Sequence, residues 1–133
     1  MKVKLVFIDD EIDILNIIRL KMRKIHKLEN VEVVLLESAK EFHAFIKSDD
    51  SDVVSIISDI NMPDNDVLDR LQEHSSKYRF VLSYLCSAYD SSGFQEMMDR
   101  YNIEFFFKKP LNIDDLKEKL LQDLEERGIR IQD

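Results

Sequence analysis

With 133 residues, 44% of them hydrophobic, the chain has the size and apolar content of one ordinary domain with a single core, and one domain spanning 1–133 is expected. A formal net charge of −8, from 27 acidic and 19 basic residues, argues against direct nucleic-acid binding as the main activity, because phosphate-backbone contacts draw their affinity from clustered Lys and Arg. The lone Cys86 allows no internal disulfide, no apolar stretch reaches the roughly 20 residues of a membrane span, and the N-terminus lacks a signal-peptide core, so no membrane partner and a cytoplasmic location are expected.

The first apolar run, Val3-Lys4-Leu5-Val6-Phe7-Ile8, reads as a buried strand that delivers Asp9-Asp10 at its C-terminal end. Segment 11–27 is amphipathic: Ile14, Ile18, Met22 and Ile25 recur at helical spacing and predict a face packed on a sheet. Ile17 falls about 100° from the centre of that stripe, where it either stays exposed beside the acidic strand end or widens the core face. A second strand near 31–36 leads to Ser38, a candidate cap for a helix over 38–47. The third run, Val53-Val54-Ser55-Ile56-Ile57-Ser58, ends at Asp59, and Pro63 forces a loop four residues later, before a helix over 66–77. A fourth strand over 80–86 presents Ser87 at its end, and Asp90 is a candidate cap for a helix over 90–101. The fifth strand, near 103–107, ends in Lys108-Lys109-Pro110, where the proline holds the preceding residue extended. A last helix over 112–127 carries Ile113, Leu116, Leu120 and Leu124 at helical spacing, with Gly128 as its stop signal. Five strands alternating with five helices predict an α/β fold, (βα)5, a doubly wound parallel sheet whose strand C-termini line the ligand crevice.

That topology would gather the charged strand ends. Adjacent carboxylates at Asp9 and Asp10 repel each other unless a cation compensates, and a third carboxylate nearby points to a hard divalent metal, for which magnesium is the natural choice. Standing alone, either Asp could merely cap the following helix, a role compatible with metal binding. Asp59 is placed to act as a nucleophile toward phosphorus if cations neutralise the incoming oxygens, although by itself it reads as an ordinary turn residue. Lys109 supplies a compact ammonium for a phosphoryl oxygen, and Ser87 a hydroxyl donor. Singly, these would be a solvated loop lysine and a turn serine. His26, His43 and His74 fall on separate predicted helices without metal-ligand spacing and read as surface histidines, Cys86 as a core residue without a neighbouring His, and 114–127 as a solvated, charge-rich face.

Taken in order, these residues resemble the receiver domain of response regulators in two-component signalling, the CheY-like family, over essentially the whole chain. Phe7-Ile8-Asp9-Asp10-Glu11 is similar to that family's acidic strand end, Ser58-Asp59-Ile60-Asn61-Met62-Pro63 to its phosphoacceptor loop, Ser87-Ala88 to its hydroxyl position and Lys108-Lys109-Pro110 to its lysine-proline turn. The resemblance implies a flavodoxin-like fold and a phosphoryl group carried on Asp59. It implies Asp10, Asp59 and the backbone carbonyl of Asn61 as direct magnesium ligands, with Asp9 acting partly through water. It also implies that Lys109 and Ser87 bind the phosphoryl group, that Phe106 is the aromatic switch, that Asn61 and Tyr89 flank the attacking water, and that the Lys109–Pro110 peptide is cis. The implied donor is a sensor histidine kinase or histidine phosphotransfer protein. The implied output is a phosphorylation-dependent surface for a downstream protein, an attached effector or a second copy of the chain, so the protein is a switch catalysing only its own phosphoryl transfer and dephosphorylation. Two departures stand out: Asp66-Val67 replaces a frequent Asp-Gly, leaving the shape of the 62–67 loop open, and Tyr101-Asn102 replaces a frequent helix-ending Gly, a mild change because Asn tolerates left-handed geometry. A haloacid-dehalogenase-type phosphatase is disfavoured, since it needs a second Asp two positions after the nucleophile, where Asp9 has Glu11 and Asp10 has Ile12. The remaining alternatives are a receiver-like scaffold that is never phosphorylated and a receiver cut from a larger regulator.

Overall fold

The computed structural model describes residues 1–26 and 30–131, without the side chain of His26. Its strands are β1 (Val3–Ile8), β2 (Val31–Leu36), β3 (Val53–Asp59), β4 (Phe80–Ser87) and β5 (Phe105–Lys108). Its helices are α1 (Ile12–Lys21), α2 (Arg23–His26), α3 (Ala39–Ser48), α4 (Val67–His74), α5 (Gln95–Arg100) and α6 (Ile113–Glu126), with short 3-10 turns at Ser75–Lys77 and Ser91–Gly93. The apolar runs form strands because both sheet faces are covered, and all seven residues of β3, the central strand, are buried. The sheet is parallel, as the alternating pattern predicts, and its strand order is β2-β1-β3-β4-β5.

One face packs Val3, Leu5 and Phe7 against Leu15, Ile18 and Met22 and against Ile113, Leu116, Leu120 and Leu124 of α6. The other packs Val6, Ile8 and Ile56 against Phe42 and Ile46 of α3 and Val67 and Leu71 of α4. The register pairs Ile8 with Ser58, Asp59 with Cys86 and Ser87 with Lys108, so the C-terminal ends of β1, β3, β4 and β5 meet along one sheet edge. Two other buried carboxylates lie outside this edge group: Asp49 binds Lys4 at 2.7 Å and the Tyr78 hydroxyl at 2.7 Å, and Asp123 accepts from Tyr84 at 2.6 Å and pairs with Lys119 at 3.0 Å.

Several boundaries differ from the sequence reading. The helix expected over 11–27 breaks at Met22 (φ −98°, ψ 6°), with α2 resuming at Arg23; residue 27 is outside the described residues. Within α1 the deepest positions are Leu15 and Ile18, while Ile14 is only partly buried, so the stripe is rotated from the one expected. The segment 90–101 splits into a 3-10 turn, which Asp90 caps by accepting from the Ser92 amide, and a short α5 with no buried residue. The amide of Ile103 closes the end of α5 on the Met98 carbonyl and Glu104 bonds the Ser83 carbonyl, so β5 begins at Phe105, later than expected. Asn102, between α5 and β5, sits at φ 54°, the left-handed conformation its short polar side chain tolerates. Ser38 caps α3 through the Glu41 amide, and Gly128, at φ 87°, ends α6 as expected. Among the described residues no helix is long and apolar enough to cross a membrane.

Candidate phosphoacceptor and metal site

The site begins where β1 and β3 run out of apolar residues. Asp9 and Asp59 are both 4% exposed, whereas Asp10 faces solvent. Ligand oxygens of Asp9, Asp10 and Asp59 lie within 4.8 Å of one another, and among the described residues no other group of three or more His, Cys, Asp or Glu side chains offers such a cluster. Three hard oxygen donors and no soft ligand suit a small divalent cation such as magnesium. His43 is instead paired with Asp66 at 2.5 Å. Burial pushes the Cys86 thiol up to about 12, an inert core sulfur.

Lys109 reaches into this cluster from the turn after β5. Its ammonium lies 3.0 Å from Asp9, 3.2 Å from Asp59 and 3.2 Å from Glu11, and the Lys109–Pro110 peptide is cis. Burial alone would favour a neutral amine, but the hydrogen bond and charge of Asp9, then the charge of Asp59 and the hydrogen bond to Glu11, win and hold the lysine firmly protonated. In sequence Glu11 belongs to the acidic motif without a role of its own; only its approach across 98 positions to Lys109 marks it as a partner, and no spacing rule finds it.

The two oxygens of Asp59 are distinguished by their neighbours. Oδ1 accepts from the Asn61 amide at 3.0 Å, and Oδ2 faces Lys109. Ser87 is fully buried at the end of β4, where its hydroxyl oxygen accepts from Asn61 Nδ2 at 2.9 Å and from the Tyr89 amide at 3.1 Å. Tyr89 thus contributes its backbone, while the residue as a whole is 68% exposed. Phe106 is half-buried and stacks on Phe94, ring centroids 5.5 Å apart. The fold therefore gathers Asp9, Asp10, Asp59 and Lys109 directly, joins Ser87 to Asp59 through Asn61, and sets Phe106 one strand pairing from Leu85, two residues before Ser87. Neither Asp9 nor Asp10 caps α1: Asp9 accepts from the Glu11 amide at 2.8 Å, and Glu11, the N-cap residue, makes no side-chain cap.

Burial pushes the Asp9 carboxyl above its ordinary value of 3.8; the Glu11 amide and Lys109 oppose the shift and Asp59 reinforces it. Because the folded state holds this proton more tightly than the unfolded chain, stability falls as pH rises from the ordinary value through the raised one, and the loss is complete above it. In metal-free protein at pH 7, Asp9→Asn should therefore raise the melting temperature by roughly 2–4 °C. The gain should vanish below pH 3, where the Asp9 carboxyl is protonated in the folded and the unfolded chain alike. Thermal melts in chelator across pH 3–8 check this, and an unchanged or lower melting temperature at pH 7 would contradict it.

No protein-family model matches the sequence, and no curated protein matches it. Solved structures do. The chain resembles a CheY-like response regulator receiver domain protein from Methanospirillum hungatei, with TM-score 0.71 and 22% identity over 96% of this chain and 98% of that one. It resembles the chemotaxis response regulator CheY4 of Vibrio cholerae, with TM-score 0.71 and 22% identity over 92% and 98%. It also resembles a response regulator protein from Burkholderia pseudomallei, solved with a phosphorylated aspartic acid and a calcium ion, with TM-score 0.67 and 13% identity over 96% and 71%. The chain has the CheY-like receiver fold: a five-stranded parallel sheet doubly wound by helices.

Proposed function

We propose that this protein is the phosphoacceptor receiver of a two-component phosphorelay, a cytoplasmic signalling switch. The observation that carries the proposal is the convergence, at one sheet edge, of three carboxylates from two strand ends with a half-buried lysine that touches two of them. A scaffold that only binds has no need for that charge cluster, in which burial pushes the Asp9 carboxyl above its ordinary value.

In this reading an oxygen of Asp59 attacks the phosphorus of a phosphohistidine. The new P–O bond forms as the P–N bond breaks, and the electron pair leaves with the imidazole nitrogen of the donor. Asp59, Asp10 and the Asn61 carbonyl would hold magnesium, with Asp9 beside them. When bound, that ion neutralises charge between the carboxylates and the phosphoryl oxygens. Lys109, fixed by Asp9 and Glu11, meets one phosphoryl oxygen. Ser87 already accepts two hydrogen bonds and has its own O–H left to donate. Turning toward the phosphoryl group strains its bond from Asn61, so occupancy at Asp59 is transmitted into β4. Phe106, across the β4–β5 pairing and stacked on Phe94, then changes its packing at the start of α5, altering the surface offered to a downstream protein or a second copy. Incubation with acetyl phosphate and magnesium should add one phosphoryl group and chelation should prevent it; the absence of any metal-dependent label would reject the proposal.

The donor is a histidine kinase or histidine phosphotransfer protein in this account. Ile17 is 48% exposed and, with Ile14, Ala88, Pro110 and Leu111, lines a groove that reaches Glu11 and Lys109. The sequence left its exposure open, and the structure leaves it unburied beside the site. Truncating an apolar docking contact costs on the order of 1–2 kcal/mol, so Ile17→Ala should slow transfer from a phosphohistidine protein about tenfold. Labelling by acetyl phosphate should stay unchanged. Equal slowing with both donors would assign Ile17 to the core instead.

A further inference from the structure

Val67 stands where a glycine would relax the turn after Asp59, yet the turn closes. Asp64 takes the left-handed conformation (φ 53°), and α4 starts at Val67 with no cap from the Asp66 side chain. That carboxylate is engaged elsewhere, by His43 at 2.5 Å and Arg70 at 3.2 Å. The closure is made by Asn65. Its Nδ2 donates to the Asp59 carbonyl at 2.8 Å and the Ile60 carbonyl at 3.1 Å, while its Oδ1 accepts from the Val67 amide at 3.2 Å.

These contacts pin two successive peptide planes at both ends. In the Asp59–Ile60 plane, the carbonyl is held by Asn65 and the amide by the Cys86 carbonyl at 2.9 Å. In the Ile60–Asn61 plane, Asn65 holds the carbonyl, and the amide of that same plane is the one that binds Asp59 Oδ1 at 3.0 Å. A planar peptide transmits the orientation of one end to the other. We infer that Asn65 is a positioning residue: through the Ile60–Asn61 peptide it aims the Asp59 carboxylate, taking the place of a flexible glycine in shaping the loop. The inference rests on the proposed phosphoacceptor role of Asp59.

Two variants separate this role from simple helix initiation. Asn65→Asp keeps an oxygen acceptor for the Val67 amide but has neither N–H donor for the two carbonyls, whereas Asn65→Ala loses all three bonds. Hydrogen exchange of the Asn61 amide, read by NMR in metal-free protein, should quicken about tenfold in both variants, since its peptide plane is no longer held. Labelling by acetyl phosphate should slow about tenfold in both, because misorienting a nucleophile lowers its rate without unfolding the protein. Val67 should stay protected in Asn65→Asp, and melting temperatures should stay within a few degrees. Asn61 exchange within twofold of the unchanged protein in both variants would overturn the inference, as would quickened exchange with unchanged labelling, or full restoration of labelling by Asn65→Asp. If the unchanged protein takes up no label, the phosphoacceptor reading fails, and Asn61 exchange alone then decides whether Asn65 orients the loop.

Discussion

Lys109→Ala should yield a folded protein that is markedly less stable without metal and deaf to the phosphoryl group. The lysine side chain is 12% exposed and faces two carboxylates that are almost fully buried. Removing it leaves Asp9 and Asp59 without their nearest cation, and breaking a buried pair from one side costs about 3 kcal/mol. Because the penalty is uncompensated negative charge, magnesium should restore much of the lost stability and lowering the pH should restore it too, as Asp9 takes its proton. Signalling should not recover in the same way, since no other described cation lies within ion-pair distance of Asp59. Beryllium fluoride, a phosphoryl mimic, should shift NMR resonances in β4 and β5 of the unchanged protein and leave those of Lys109→Ala nearly still. Lys109→Arg should not rescue the response, because a planar fork cannot occupy the space of a compact ammonium wedged among Asp9, Glu11 and Asp59. A normal response in Lys109→Ala would remove the lysine from the switch.

Asp59→Asn should abolish labelling while keeping the fold. The amide oxygen can still accept from the Asn61 amide, so the loop keeps its shape, but the side chain is no longer a nucleophile toward phosphorus. Losing one carboxylate from a crowded acidic site also relieves repulsion, so the melting temperature in chelator should stay level or rise. Labelling should fall below detection rather than merely slow: Asp9 is committed to Lys109 and the Glu11 amide, and exposed Asp10 lacks the direct lysine contact that Asp59 makes. Undiminished labelling of Asp59→Asn would mean that another carboxylate receives the group.

The sheet was legible because buried parallel strands have a nearly local signature: Val53 to Ser58 is a continuous apolar run broken only by serines. The charged strand ends were legible for the same reason, since β1, β3 and β5 each finish where the charges begin. What escaped was set by tertiary contact. The break at Met22 interrupts a pattern whose apolar spacing continues unbroken through Ile25, and α5 is short because its residues bury little, so periodicity alone overran it. Glu11 joins the site only through a lysine 98 positions away. Asn65 reads in sequence as one more polar loop residue; that both its donors turn back onto the end of β3 depends on the left-handed turn at Asp64, which the substitution of Val67 for glycine hinted at without specifying. The Asn61 side chain also holds Ser87, a bond between two strand ends that no local rule predicts.

The most direct test is to map the label. The unchanged protein, treated with acetyl phosphate and magnesium, would be trapped by reduction of the acyl phosphate, digested and sequenced by mass spectrometry. A single modified position, Asp59, is expected, and it should disappear when magnesium is chelated. Modification centred on any other residue, or no acyl phosphate at all, would contradict it.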